Sequence, residues 1–135
     1  MRIFLSAALF IAIVIALAVS LSEKDFDKGV AAAQRGDFAT ALKEWRPLAE
    51  EGHAVAQKNL GLMYYHGDGV AKDDKQAAYW YRLAAEQGVA SAQYNLGLMY
   101  ASGEGVAQDD KQAVKWYRLA AEQEHRNARY NLGLM

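Results

Sequence analysis

Apolar side chains recur at intervals of three and four residues along most of the chain. From Ala56, the apolar positions Leu60, Met63 and Tyr64 follow at the fourth, seventh and eighth residues. A second stripe of alanine, tryptophan and tyrosine side chains with the same habit begins at Ala77. Such spacing places the apolar groups on one face of a helix. We therefore expect an all-α protein built from amphipathic helices.

Glycine and aspartate residues mark where these helices end and begin. Gly67 can take the left-handed conformation that ends a helix, and Gly69 allows a further tight turn. Asp73 stands where an N-cap is expected and Gln76 follows three residues later, which is a capping-box pattern. Gly61 lies inside the first helix, where glycine costs about 1 kcal/mol relative to alanine. We expect it to allow a neighbouring helix or a bulky side chain to approach closely.

The helix pair recurs with a constant period of 36 residues. The phrase NLGLM occurs three times, each copy headed by an alanine, at Ala56, Ala92 and Ala128. Copies of G-x-G-V, DDKQA and WYRLAAEQ recur once at the same offset. A period of 20–50 residues is the signature of a stacked repeat array, in which each unit buries its apolar face against its neighbours.

A fainter copy of the helix pair precedes the two clear ones. Residues 41–52 align at the same offset with residues 77–88, and Trp45 takes the place of Tyr81. The turn before it is shorter and lacks the G-x-G-V loop. Arrays need an atypical repeat at their ends, and we interpret this copy as such a terminal repeat.

The first 22 residues follow a different pattern, an apolar run without a polar face. The unbroken part, Ala7 to Val19, fits the core of a signal peptide and is shorter than the ~20 residues that span a bilayer. Small residues at 16 and 18, or at 18 and 20, have the spacing that a signal peptidase reads. No cluster of Lys or Arg follows as a stop-transfer signal. We expect a cleaved signal peptide over residues 1–22, with an uncleaved anchor or, less favoured, a core helix as alternatives.

Composition and charge exclude several kinds of site. Fifteen basic and sixteen acidic side chains nearly cancel, so we expect no nucleic-acid partner. The chain has no cysteine, which removes disulfides, thiolate metal sites and a cysteine nucleophile. His53 and His125 occupy the same turn two repeats apart, and His66 has no evident partner, so we expect no metal site. The aspartate pairs at 73–74 and 109–110 stand at helix starts, where capping explains them better than catalysis does.

The repeated residues resemble those of a known family. The pattern A-x3-L-G-x2-Y-x2-G-x-G-V-x2-D-x3-A-x2-W-Y-x2-A-A-x2-G, complete from Ala56 to Gly88, is similar to the Sel1-like repeat. The second copy matches from Ala92 to Ala121 and has Glu124 where the family has glycine. The N-terminal copy looks more like the related tetratricopeptide repeat. The resemblance implies a right-handed superhelical α-solenoid of antiparallel helix pairs, whose first helices line a concave groove.

The repeats predict a domain organisation for the whole chain. After the leader we expect a degenerate tetratricopeptide-like helix pair and two Sel1-like repeats, followed by a first helix alone. Their predicted bounds are residues 23–53, 54–89, 90–125 and 126–135. Because this last helix ends in apolar residues without a second helix, we expect the chain to be a piece of a longer array, with a bare C-terminal cap on the preceding repeat as the alternative.

One ladder of polar residues lies in the first helices. Asn59, Asn95 and Asn131 share one register, although asparagine is a poor helix former. In tetratricopeptide relatives an asparagine at this register bonds the backbone of a bound peptide. The resemblance therefore implies a groove for a protein or peptide, in which the asparagines act with neighbouring residues of the same helices: Lys58, Leu62, Tyr94, Leu98 and Tyr130. As the alternative, the amides bond neighbouring helices and hold the stack together.

The resemblance also implies a function without chemistry of its own. We expect an exported scaffold or adaptor, periplasmic or secreted, that binds an unidentified protein or peptide and needs no cofactor. A factor for envelope assembly or maintenance, anchored in the inner membrane by the leader, is the alternative. A hydrolase of peptidoglycan or of β-lactams is a remote third possibility.

Overall fold

The computed structural model describes residues 6–123 and 125–135. Over these residues it consists of helices joined by short turns, and consecutive helices pack side by side. This confirms the predicted all-α solenoid of antiparallel helix pairs. The helices are α1 (Ala7–Gln34), α2 (Phe38–Glu50), α3 (Ala54–His66), α4 (Asp74–Glu86), α5 (Ala90–Ser102), α6 (Asp110–Glu122) and α7 (Arg126–Leu134).

Side chains cap the helices where the sequence places the aspartates. The Asp73 carboxylate accepts a hydrogen bond from the Gln76 backbone N–H at 3.1 Å, and Asp109 caps α6 in the same way. Capping by these two residues is thus confirmed. The turn histidines His53 and His125 also cap helices, because their Nδ1 atoms accept backbone N–H groups at the starts of α3 and α7. An N-cap satisfies one of the N–H groups that a helix start leaves unpaired.

In the two Sel1-like repeats, the glycine inside the first helix lies against an aromatic ring of the second helix. A Cβ on Gly61 would lie 2.5 Å from the Tyr81 ring, and one on Gly97 would lie 2.7 Å from the Tyr117 ring. Both glycines and both rings are buried. The expected close approach is confirmed, and its partner is the tyrosine of the Trp-Tyr pair. The neighbouring tryptophans, including Trp80, are buried between helices elsewhere in the core.

A glutamine network links successive repeats. Gln57 is 4% exposed, and its amide donates to the Ala49 carbonyl at 3.1 Å. Gln87, at the C-terminal end of α4 in the same repeat, donates to the Gln57 side-chain oxygen at 2.8 Å. Gln93 and Gln123 repeat this arrangement. Since buried polar groups are costly unless they are paired, the network satisfies groups that the stacking of repeats removes from water.

Helix α1 combines the apolar leader and the first helix of the N-terminal repeat. Its buried residues are Gly29 and Ala32, whereas residues 7–21 are exposed. The helix is long and apolar enough to cross a membrane by length and composition, with a mean hydropathy of 2.0 over its most apolar stretch. Residues 1–5 of the predicted leader and Glu124 lie outside the described residues. An N-terminal helix of this kind fits a signal peptide or a membrane anchor.

Candidate functional site

Two clefts open between successive first helices of the solenoid. The upstream cleft, of about 250 Å³, lies between the end of α1 and α3. The downstream cleft, of about 230 Å³, lies between α3 and α5. Leu62 and His66 of α3 line both, so the clefts are neighbours on either side of one helix.

The two clefts have a common construction. Five of their lining positions are equivalent at the offset of 36 residues: Asn59 and Asn95, Leu62 and Leu98, Met63 and Met99, Asp68 and Glu104, and Trp45 and Tyr81. The opposite walls come from the preceding repeat and differ. Each cleft therefore presents apolar side chains, one asparagine and one carboxylate in the same relative places.

The asparagines of α5 and α7 bond tyrosines of the preceding repeat. Burial raises the pKa of the Tyr81 hydroxyl, and a hydrogen bond with the Asn95 amide opposes this shift. Burial likewise raises the pKa of Tyr117, whose hydroxyl is hydrogen-bonded to Asn131. These hydrogen bonds join neighbouring helices, which is the alternative role that the sequence analysis considered for the asparagine amides. A ligand contact of the same amides stays a prediction.

Asn59 has a different environment because its cleft holds Trp45 in place of a tyrosine. The Trp45 indole N–H donates to the Phe26 carbonyl at 3.2 Å. Within the part of the chain that the structure describes, the Asn59 amide makes no hydrogen bond. Its amide in the upstream cleft is consequently available to a ligand.

The remaining predicted site residues lie outside the two linings. Tyr94 stacks on His125, the N-cap residue of α7, with ring centroids 4.6 Å apart. Tyr130 is 68% exposed. Lys58 is half-buried, and burial lowers its pKa. Of the predicted set, the structure brings four residues into the clefts: Asn59, Leu62, Asn95 and Leu98.

The carboxylates at the cleft rims were not predicted as site residues. Glu104 accepts a hydrogen bond from the Tyr65 hydroxyl at 3.3 Å, and its charge is the main cause of the raised pKa of that tyrosine. Asp68 occupies the equivalent loop position in the upstream cleft. Both stand in G-x-G loops that we interpreted as turns. Their recurrence as acids at one offset was the signal that could have identified them.

The described residues offer little to a metal ion. Among residues 6–123 and 125–135, no group of three or more His, Asp or Glu side chains is arranged to hold one. The clefts combine apolar walls with single polar groups, which is typical of a surface that binds another molecule.

This fold and these clefts define a helical-repeat solenoid of the kind that serves as an interaction module. The model of the Sel1 repeat matches residues 54–89 and 90–125. The chain belongs to the Sel1 repeat family. Proteins of this family are generally scaffolds for protein–protein interaction and are typically non-enzymatic.

Solved structures of this family are similar to the chain. A Sel1 repeat protein from Oxalobacter formigenes is 39% identical with a TM-score of 0.75, over 78% of this chain and 44% of that one. A protective antigen of uropathogenic Escherichia coli with an SLR fold is 38% identical with a TM-score of 0.78, over 83% of this chain and 25% of that one. The cysteine-rich protein B of Helicobacter pylori, 23% identical with a TM-score of 0.64, covers 84% of this chain and 94% of its own length and shares the fold.

A curated relative is similar over a short stretch only. An uncharacterized protein of Neisseria meningitidis is 53% identical over 34 residues, which are 25% of this chain and 7% of that protein. The chain thus spans less than half of the length of this relative and of the two most similar structures described above.

Proposed function

We propose that the chain is an exported, non-enzymatic adaptor that binds a protein or peptide in the groove formed by the two clefts. The observation that carries this proposal is the repetition of one lining, with asparagine, leucine, methionine and carboxylate at equivalent positions. A surface repeated along a solenoid can contact successive residues of an extended ligand, as other repeat proteins do with their concave faces. The family's general role in protein–protein interaction supports the same assignment.

Capture of a partner from an envelope extract tests this function. The full chain serves as bait with chemical cross-linking, beside a variant that combines Asn59→Ala and Leu98→Ala. Neither residue is among the buried core, so the variant should keep its helical circular-dichroism signal and its melting temperature. We expect it to lose most of the captured partner.

Leu119→Ala provides a matched control for this experiment. Leu119 lies on α6 outside both clefts and is partly buried, so the substitution removes the same atoms as Leu98→Ala does, but from another part of the molecule. It should capture the partner as the unchanged chain does. Equal capture by all three proteins, or equal loss in the control, would contradict a binding site in the clefts.

Helix α1 favours a second candidate, in which the leader is retained and tethers an envelope assembly or maintenance factor to the inner membrane. The apolar segment continues into the first repeat helix without a break at the small residues that a signal peptidase would read. Mass spectrometry of the mature N-terminus separates the two candidates. A chain that starts near Val19 or Leu21 excludes the tether, and an intact leader excludes release after export.

A further inference from the structure

We propose that the groove selects a basic, polyproline II-like peptide, with apolar side chains three residues apart and a Lys or Arg beside each. This inference rests on the proposed function, because it names the ligand class of the same two clefts. The two apolar side chains would enter the upstream and downstream clefts, and the cationic groups would meet Asp68 and Glu104.

The distance between the clefts supports the three-residue spacing. Since both clefts border α3, their centres are separated by about one helix width, roughly 10 Å. A polyproline II helix has three residues per turn and rises about 9 Å per turn, so its residues i and i+3 lie on the same face. A β-strand presents residues i and i+2 on one face at only about 7 Å. The polyproline II period therefore matches the repeat better.

The charge at one edge of the groove supports a basic ligand. Asp68 follows the C-terminus of α3 and Glu104 follows that of α5, and the dipole of each helix adds negative potential at these ends. Lys72 lies near this edge, where it forms a salt bridge with Asp74 at 2.7 Å and also interacts with Glu104, so one lysine stands against the three carboxylates of Asp68, Asp74 and Glu104. The loop edge consequently has an excess of negative charge.

The lysine of α3, Lys58, lies away from this edge. Lys58 precedes His66 by two helical turns, or about 12 Å of helix. It stands towards the N-terminal ends of α3 and α5, so it does not compensate the two carboxylates. A ligand cation at the loop edge would meet the carboxylates without facing this ammonium group, which sets the side of the ligand that must be basic.

Fluorescence anisotropy with labelled synthetic peptides tests the inference on the full chain in detergent. The probe PLRPLRP has leucines at i and i+3 with an arginine after each. PLEPLEP reverses the charge, and PLPLRPR has the composition of the probe with leucines at i and i+2. We expect the probe to bind at least about tenfold tighter than either control peptide, with affinity that falls as salt is added.

A pair of matched variants tests the role of the carboxylates. The double substitution Asp68→Asn with Glu104→Gln should weaken binding of the probe about fivefold or more. Glu86→Gln with Glu122→Gln removes two exposed acids that also stand 36 residues apart, at the ends of α4 and α6, and should leave the affinity unchanged. Equal affinities for both variants, or tighter binding of PLEPLEP, would overturn the basic ligand. Equal binding of PLPLRPR would overturn the spacing.

The outcome also separates this inference from the proposed function. If no peptide binds while the Asn59→Ala and Leu98→Ala variant still loses its captured partner, the clefts bind a different ligand class and the inference is wrong. If that variant also captures its partner normally, the binding function of the clefts is itself wrong.

Discussion

The N-terminal helix pair and the Sel1 repeat that follows it solve one packing problem with different side chains. In α3–α4, Gly61 lies against Tyr81, whose hydroxyl bonds Asn95 of the next repeat. In α1–α2, Gly29 lies against the Trp45 indole, which donates to a backbone carbonyl instead. The glycine–aromatic contact is common to both, whereas the asparagine bond is limited to the Sel1 repeats. We therefore expect the glycine–aromatic contact to be required for packing of each helix pair, and the tyrosine–asparagine hydrogen bond to add further stability.

Removing the ring of Tyr81 should have the largest effect. Tyr81 is 1% exposed, and truncation of a buried aromatic side chain costs about 3–5 kcal/mol. We expect Tyr81→Ala to lower the free energy of unfolding by this amount, as measured by urea denaturation. Tyr79→Ala, at a neighbouring position that is 53% exposed, should change it by less than about 0.5 kcal/mol. Similar losses of unfolding free energy for both variants would show that the contact between Tyr81 and Gly61 is not what stabilises the repeat.

Filling the glycine side of the contact should have the next largest effect. Alanine is the better helix former, yet a Cβ on Gly97 would press against the Tyr117 ring, and overpacking costs about 1–3 kcal/mol. Gly133 stands at the same register of α7 with no atom near its potential Cβ. There the same substitution should be neutral or stabilise by up to about 1 kcal/mol. We expect Gly97→Ala to lower the melting temperature and Gly133→Ala to leave it unchanged or raise it, and an equal decrease for both would contradict the steric account.

Removing the asparagine hydrogen bond should lower the free energy of unfolding by a smaller amount. The loss should occur at Asn95 and not at the equivalent Asn59. Asn95→Ala removes the partner of the Tyr81 hydroxyl and should cost about 0.5–1.5 kcal/mol. Asn59→Ala breaks no hydrogen bond within the described residues and should cost nothing. A double-mutant cycle with Tyr81→Phe should show coupling for Asn95 and none for Asn59. Coupling for Asn59 would mean that it too holds the stack.

Removing the apolar leader should have the smallest effect. Residues 7–19 of α1 are exposed, and the buried residues of this helix lie at Gly29 and Ala32. A chain that lacks residues 1–18 should keep its melting temperature within about 1 °C of the full chain when both are measured in the same detergent. A large decrease would show that the leader supports the first repeat.

The architecture could be predicted from the sequence because the same helix-pair pattern occurs twice, in residues 54–89 and 90–125. A stripe of apolar positions at helical spacing, a glycine turn and an aspartate cap determine each helix locally, and the fixed offset then determines how the units stack. Tertiary pairing is harder to predict. Gln57 resembles an exposed polar residue until a second glutamine, 30 residues later, is placed beside it. His53 was considered only as a metal ligand, although its imidazole caps α3.

The candidate site was predicted in part for the same reason. The resemblance and the shared register pointed to Asn59, Leu62, Asn95 and Leu98, and these four residues do line the clefts; their contact with a ligand stays a prediction. The ring of Tyr94, another predicted site residue, stacks on His125, which caps α7, and a ligand contact of Tyr94 stays a prediction. The shared register missed Asp68 and Glu104, because a loop residue's direction depends on the chain that packs beneath the loop.

Because α1 is continuous, its apolar N-terminal part is a rigid extension of the first repeat. Its 28 residues form a rod of roughly 42 Å, and no flexible linker separates the apolar part from the residues that pack on α2. If the apolar end is held in place, a torque or a pull is transmitted directly to the first repeat. The groove would then keep a fixed orientation relative to the structure that holds the apolar end. Cleavage within α1 would let the repeats reorient freely.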